Sequence, residues 1–177
     1  MKRIVLISDN HGYAGMDIWK YLDACDEIWH AGDMGTLESI EAFRQEFVFR
    51  AVVGNIDTVD IRATYPEDLT FECEGVKVLM THIGGYPGRY SKRVIPILNS
   101  YQPGLFISGH SHICKVMYDP KRQCLHMNPG SYGYQGWHKV RTLIRFTCSD
   151  GKIADVEVVE LGSRSISYLG DTSLGIK

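Results

Sequence analysis

The stretch Lys2-Arg3-Ile4-Val5-Leu6-Ile7-Ser8-Asp9-Asn10-His11-Gly12 decides the fold. Its first half is a short apolar run, and it stops at a polar cluster. A run of that length bounded by turn residues reads as a strand buried on both faces, as in a sheet covered by helices. The pattern recurs four times. DEIWHA (26–31) ends at Gly32-Asp33, FVFRAVV (47–53) at Gly54-Asn55, KVLM (77–80) at Thr81-His82, and LFIS (105–108) at Gly109-His110-Ser111-His112. Open α/β sheets bind ligands outside the carboxyl ends of their strands. Five strand ends carrying Asp, Asn and His therefore predict one polar crevice.

Working outward, helical spacing lies between the first strands. One helix is predicted from about residue 14 to 24, with Ile18, Trp19 and Leu22 on one face, and a second through Leu37, Ile40 and Phe43. This β-α-β-α-β series predicts parallel strands with right-handed crossovers. The middle changes character. LTFEC (69–73), Glu74-Gly75 and VKVLMT (76–81) read as a hairpin, and a third helix is expected between Ser91 and Tyr101. After 105–108 the pattern is antiparallel, with strands over 113–119, 124–128, 140–148 and 152–161. The class is α/β, a sandwich of two packed, mixed sheets. One domain over 1–163 and a loose tail over 164–177 are expected.

The chain has 177 residues, enough to bury roughly 70% of its unfolded surface without disulfides. A net charge of −2 argues against charge-driven binding to a nucleic-acid backbone. The five cysteines (Cys25, Cys73, Cys114, Cys124, Cys148) show no CxxC pairing and fit reduced thiols. The N-terminal apolar run is too short for a signal peptide or a membrane span, so a cytoplasmic protein with no membrane partner is expected.

Asp9 and His11 alternate, so both side chains leave the backbone on one side; His110 and His112 repeat the arrangement with two imidazoles. Asp33 can give one carboxylate oxygen to each of two cations, Asn55 offers an amide oxygen, and His82 a further imidazole. This donor set suits Mn²⁺, Fe²⁺, Ni²⁺ or Zn²⁺, and no cysteine belongs to it. One strand-end Asp or His is commonly a helix cap or a satisfied core group; five in succession fit a metal centre better.

In order and spacing these residues resemble the calcineurin-like metallophosphoesterases, whose pattern is D-x-H, G-D, G-N-H-[DE], a histidine, and G-H-x-H. The length and Asn128-Pro129-Gly130-Ser131 are most similar to the small single-domain phosphodiesterase branch, which includes the non-catalytic small subunit of the retromer complex. The resemblance implies a four-layer α-β-β-α sandwich and two divalent metals, Mn²⁺ above all. It implies that Asp9, His11 and His112 hold one metal, that Asn55, His82 and His110 hold the second, and that Asp33 bridges. Asp33, Asn55 and His110 would then be the catalytic ligands, with a hydroxide shared between the metals attacking a small-molecule or nucleotide-like phosphodiester. Where many relatives have histidine after G-N, this chain has Ile56, and the small phosphodiesterase branch often lacks that histidine too. Loss of that proton donor should penalise esters with poor leaving groups. Asp57 is expected to orient His82 or another ligand from behind.

Asn10 and Arg89 are candidate substrate contacts, although Asn10 could equally close its loop, and Arg89, Lys92 and Arg93 could face solvent. His30 is expected to face away from the site, and His126 and His138 have no assigned role. The aromatic loop holding Tyr132, Tyr134 and Trp137 could stack on a substrate ring or contact a second protomer in a homo-oligomer. The alternative function is an interaction scaffold with a vestigial pocket, which has no reason to keep all seven donors.

Overall fold

The computed structural model describes residues 1–165; the expected tail lies outside the described residues except for Arg164 and Ser165. Sheet A is built from β1 (Lys2–Ile7), β2 (Glu27–His30), β3 (Val48–Ala51), β11 (Val140–Ser149) and β12 (Lys152–Ser163), in the order β12-β11-β1-β2-β3. Sheet B holds β4 (Asp68–Cys73), β5 (Val76–Thr81), β8 (Leu105–Ile107), β9 (Cys114–Asp119) and β10 (Cys124–Pro129), in the order β4-β5-β8-β10-β9. Both are mixed. β1, β2 and β3 are parallel, as are β5, β8 and β10, and the outer pairs are antiparallel. A two-stranded ribbon, β6 (Gly85–Tyr86) and β7 (Arg89–Tyr90), turns at Pro87-Gly88.

The period of two along β1 shows why both faces are apolar. Ile4 and Leu6 point into the core between the sheets, where they join Trp29, Val78, Met80, Ile107, Met127 and Phe146. Val5 and Ile7 point the other way, against Ile18, Leu22, Met34, Phe43 and Ile61 of the helical layer. Outside sheet B, Leu79 and Phe106 pack on Val94 and Leu98. The layers are thus helix, sheet, sheet, helix, the four-layer α-β-β-α sandwich.

The helices are shorter than the spacing predicts. The stretch expected at 14–24 is a 3-10 helix, Met16–Tyr21, entered from Gly15 at φ 68° and ended before Ala24 at φ 61°. The second is a 3-10 turn, Leu37–Ile40, running into α1 (Glu41–Glu46). The third, α3 (Ile95–Tyr101), starts four residues later than expected. Pro96 sits in its first turn, where a missing N–H costs nothing. A further helix, α2 (Val59–Thr64), has no counterpart in the sequence reading. All five cysteines are free thiols. Among the described residues no helix is long and apolar enough to cross a membrane.

Candidate metal centre

Because β1, β2, β3, β5 and β8 are parallel within their sheets, their carboxyl ends deliver the five polar clusters to one edge of the sandwich. Two groups of donor atoms converge there, Asp9 with His11 and His112, and Asp33 with His82 and His110, each within 4.8 Å. Asp33 Oδ2 links the groups, 3.3 Å from His82 Nε2 and 3.7 Å from His11 Nε2. Asn55 Oδ1 lies 3.2 Å from His82 Nε2, and His11 Nε2 lies 3.2 Å from His112 Nε2.

The backbone is bent to achieve this. Asp9, His11, Asp33, His110 and His112 all adopt positive φ, between 50° and 68°. Such strain persists only where surrounding structure imposes it, and it clusters at functional sites. Close approach sets the neighbouring glycines. A Cβ at Gly54 would collide with the Asp33 carboxylate, and one at Gly109 with Ser8 Oγ.

The electrostatics suit a cation. Asp9 is fully buried; its Oδ2 accepts from Ser8 Oγ (2.5 Å) and the His110 N–H (3.1 Å), while Oδ1 has no hydrogen-bond partner among the described residues. That bare oxygen faces His112 Nε2 at 3.2 Å. Neither Asp9 nor Asp33 pairs with Lys or Arg among the described residues. Burial opposes charge on His82, but its hydrogen bond to Asp33 and the charges of Asp9 and Asp33 outweigh that and raise its pKa. Burial likewise works against the Asp33 carboxylate, and the His82 contacts and the Ile56 N–H lower its pKa regardless. Burial keeps His11 below the usual range, against the pull of Asp33 and Asp9. Two buried carboxylates among imidazoles, one oxygen unpartnered, are a donor set that divalent cations satisfy.

Backbone carbonyls fix the ring orientations. His82 Nδ1 donates to the Ala31 carbonyl at 2.7 Å, which leaves Nε2 free toward Asp33. His112 Nδ1 meets His138 Nδ1 at 3.2 Å, and His138 Nε2 donates to the Gly133 carbonyl at 3.2 Å. The chain of donors gives His112 its proton at Nδ1 and frees Nε2. His138 thus backs a candidate ligand, a role that sequence reading did not assign.

One expectation is narrowed and two are corrected. Asp57 does not touch His82, but the other alternative stays open: its Oδ1 accepts from the Gly35 N–H (2.7 Å) and its Oδ2 from the Gly54 N–H (2.6 Å), clamping the loops after β2 and β3, the second of which carries Asn55. Asn10 is buried, with Nδ2 donating to Tyr13 O, Met34 O and Ser39 Oγ and Oδ1 facing His30 Nε2 at 2.9 Å, so it closes its loop and has nothing left for a phosphate. The aromatic loop is not one stacking surface: Tyr132 is fully buried, Tyr134 lies under Arg141 (3.9 Å), and only Trp137 stands free, 99% exposed.

Arg93 is tied to Glu67 and Asp68, whereas Arg89 is exposed and lines a cavity of about 360 Å³ beside His110. Arg62 of α2 donates to the carbonyls of Gly54, Asn55 and Asp57, holding the Asn55 loop. Asn128 Nδ2 donates to the Gly109 carbonyl and Ser131 Oγ to the Asp9 carbonyl, so the Asn-Pro-Gly-Ser segment braces two donor loops. A larger cavity, about 700 Å³, lies at Leu98, Pro103 and Arg122, away from the donors.

With this geometry in hand, the sequence model of the calcineurin-like phosphoesterase superfamily domain matches residues 1–151. The chain belongs to the calcineurin-like phosphoesterase superfamily. No curated protein matches it by sequence. Among solved structures it is similar to a conserved uncharacterized protein from Streptococcus pneumoniae TIGR4, a predicted phosphoesterase (TM-score 0.67, 21% identity, 90% of each chain covered). It is also similar to a novel archaeal phosphodiesterase (TM-score 0.68, 18% identity, 89% of this chain and 99% of that one). A third similar structure is wild-type Vps29 complexed with Zn²⁺ from Entamoeba histolytica (TM-score 0.62, 16% identity, 90% and 99% covered). At these identities the likeness is one of fold.

Proposed function

We propose that the protein is a phosphodiesterase that uses two divalent metal ions, Mn²⁺ foremost, to hydrolyse small-molecule or nucleotide-like phosphodiesters. The observation that carries this reading is the buried, unpartnered Oδ1 of Asp9 amid a complete donor set. Asp9, His11 and His112 would hold one ion; Asn55, His82 and His110 the other; and Asp33 would face both. Such ions, when bound, acidify water and neutralise charge on a phosphoryl group. The chain's own part is to fix the donors. The Ala31 carbonyl and the His138 ring hold two imidazoles in one tautomer, and Asp57 and Arg62 lock the loops.

Leaving-group chemistry follows from Ile56. Its side chain is 42% exposed and has no transferable proton, and its backbone N–H is committed to Asp33, so the site favours esters whose leaving group departs without a proton. The second reading, an interaction scaffold, draws on the likeness of fold to Vps29. Hydrolysis of bis-p-nitrophenyl phosphate and p-nitrophenyl phosphate by stripped protein reloaded with Mn²⁺, Ni²⁺, Zn²⁺ or Mg²⁺ separates the two. The proposal expects faster diester turnover, restored by Mn²⁺ and absent from Asp33→Asn. Metal uptake with no hydrolysis of either ester supports the scaffold.

A further inference from the structure

The cavity of about 360 Å³ beside His110 has features that metal binding does not use. Its wall includes His126, which is 1% exposed on β10; the ring contacts the Phe106 backbone, but its Nδ1 makes no well-aligned hydrogen bond among the described residues. Burial pushes the His126 pKa down to about 4, so at neutral pH the ring is uncharged, with one donor and one acceptor nitrogen. Buried side-chain nitrogens left unpaired are rare, and here the unpaired one belongs to a ring that lines a cavity.

The walls are equally unusual for a surface. Ile83 and Ile113, which directly follow the candidate ligands His82 and His112, are 45% and 61% exposed and line the same space. Contiguous exposed apolar side chains beside a polar centre mark binding sites. At the rim, Lys115 Nζ lies 3.8 Å from the centroid of the Tyr86 ring, held there by β9 and β6. Neither Lys115 nor Arg89 forms an ion pair among the described residues, in contrast to Arg93.

We propose that this cavity receives one organic arm of the phosphodiester, a flat heteroaromatic ring of the nucleobase kind. The ring lies between Ile83, Ile113 and Tyr86 and exchanges a hydrogen bond with His126. Lys115 and Arg89 meet the anionic phosphate end. The inference rests on the phosphodiesterase reading of the adjoining donors and names its substrate class. A ring with in-plane donors and acceptors satisfies the His126 nitrogen, whereas an aliphatic arm leaves it unpaired.

The test is a titration of the full chain, kept in EDTA so that nothing turns over. The probes are thymidine 5′-monophosphate methyl ester and dimethyl phosphate, which share one phosphodiester charge. Affinity is followed by NMR, with the His126 ring nitrogens as reporters. The nucleoside ester should bind at least tenfold tighter and shift the His126 signals. Ile113→Ser, at an exposed position that leaves the core intact, should reduce that preference three- to tenfold, and His126→Leu should do the same if it folds, whereas Lys115→Ala should weaken both probes alike because both carry the phosphate. Equal affinity for the two probes, or a preference untouched by Ile113→Ser, overturns the pocket. The same pair of esters is then offered to the Mn²⁺-loaded chain. Hydrolysis without a nucleoside preference refutes the pocket alone; selective binding without hydrolysis refutes the hydrolytic reading and, with it, the cavity's role as a substrate arm site.

Discussion

Replacing Asp57 tests how the site is held together. Its carboxylate accepts two buried backbone N–H groups, from Gly35 at 2.7 Å and Gly54 at 2.6 Å, and it is only 6% exposed. A hydrogen bond to a charged group is worth about 1.5–3 kcal/mol, and losing an acceptor also strands its buried donor. Asp57→Ala should therefore cost about 3–5 kcal/mol, a large share of the 5–15 kcal/mol by which a domain is ordinarily stable. At about 2–4 °C per kcal/mol for a chain of this size, the melting temperature falls by roughly 6–20 °C. Asp57→Asn keeps one acceptor oxygen and turns an NH₂ toward the other N–H, so its loss should be at least half as large. Urea unfolding of the metal-free variants reads the stability. The ¹⁵N shifts of His82 read the alternative, since its ring is held by the Ala31 carbonyl and should keep its tautomer. A variant of wild-type stability with an altered His82 tautomer would refute the clamp and make His82 the residue that Asp57 orients.

Other consequences follow from the same contacts. His138→Ala removes the ring that meets His112 Nδ1 and should weaken Mn²⁺ affinity about 10- to 100-fold by calorimetry, with the melting curve of the metal-free protein little changed. His30 and His126 are held uncharged by burial, with pKa values lowered to about 3 and about 4, while the unfolded chain binds those protons near pH 6.5. Each contribution is intact above the unfolded value and is lost as pH falls from about 6.5 toward the folded value. At pH 5 each costs about 2 kcal/mol. His126→Phe should therefore shrink the loss of stability between pH 7 and pH 5 by about 2 kcal/mol in urea titrations of the metal-free protein. Trp137→Ala, at a side chain 99% exposed, should change stability by less than about 0.5 kcal/mol and leave substrate preference unchanged; a shift in preference would return that ring to the substrate site.

The sheets were legible because burial on both faces writes itself into sequence. Ile4 and Leu6 face one core and Val5 and Ile7 another, so the run is apolar without a break and ends sharply at Ser8-Asp9. The donor residues were legible for the same reason, since each follows such a strand. The helices were not. Over a turn or two, Ile18, Trp19 and Leu22 satisfy 3-10 and α spacing alike, and the left-handed Gly15 and Ala24 that confine the element carry no periodic signal. The supports of the site were the least readable. Asp57 acts on backbone N–H groups of two glycines, and His138 reaches His112 from 26 residues away through a Gly-rich loop. Asn10 was ambiguous because its partners, Met34, Ser39 and His30, come from the next strand and loop. Contacts of this kind exist only once the chain is packed.

The strand ends, on this reading, assemble one centre for two cations. Anomalous diffraction at the manganese edge, from crystals of the full chain grown with Mn²⁺, tests it most directly. Two peaks are expected, one bonded to Asp9, His11 and His112, the other to Asn55, His82 and His110, with Asp33 contacting both. A single peak, peaks elsewhere, or two ions that Asp33 does not share would contradict it.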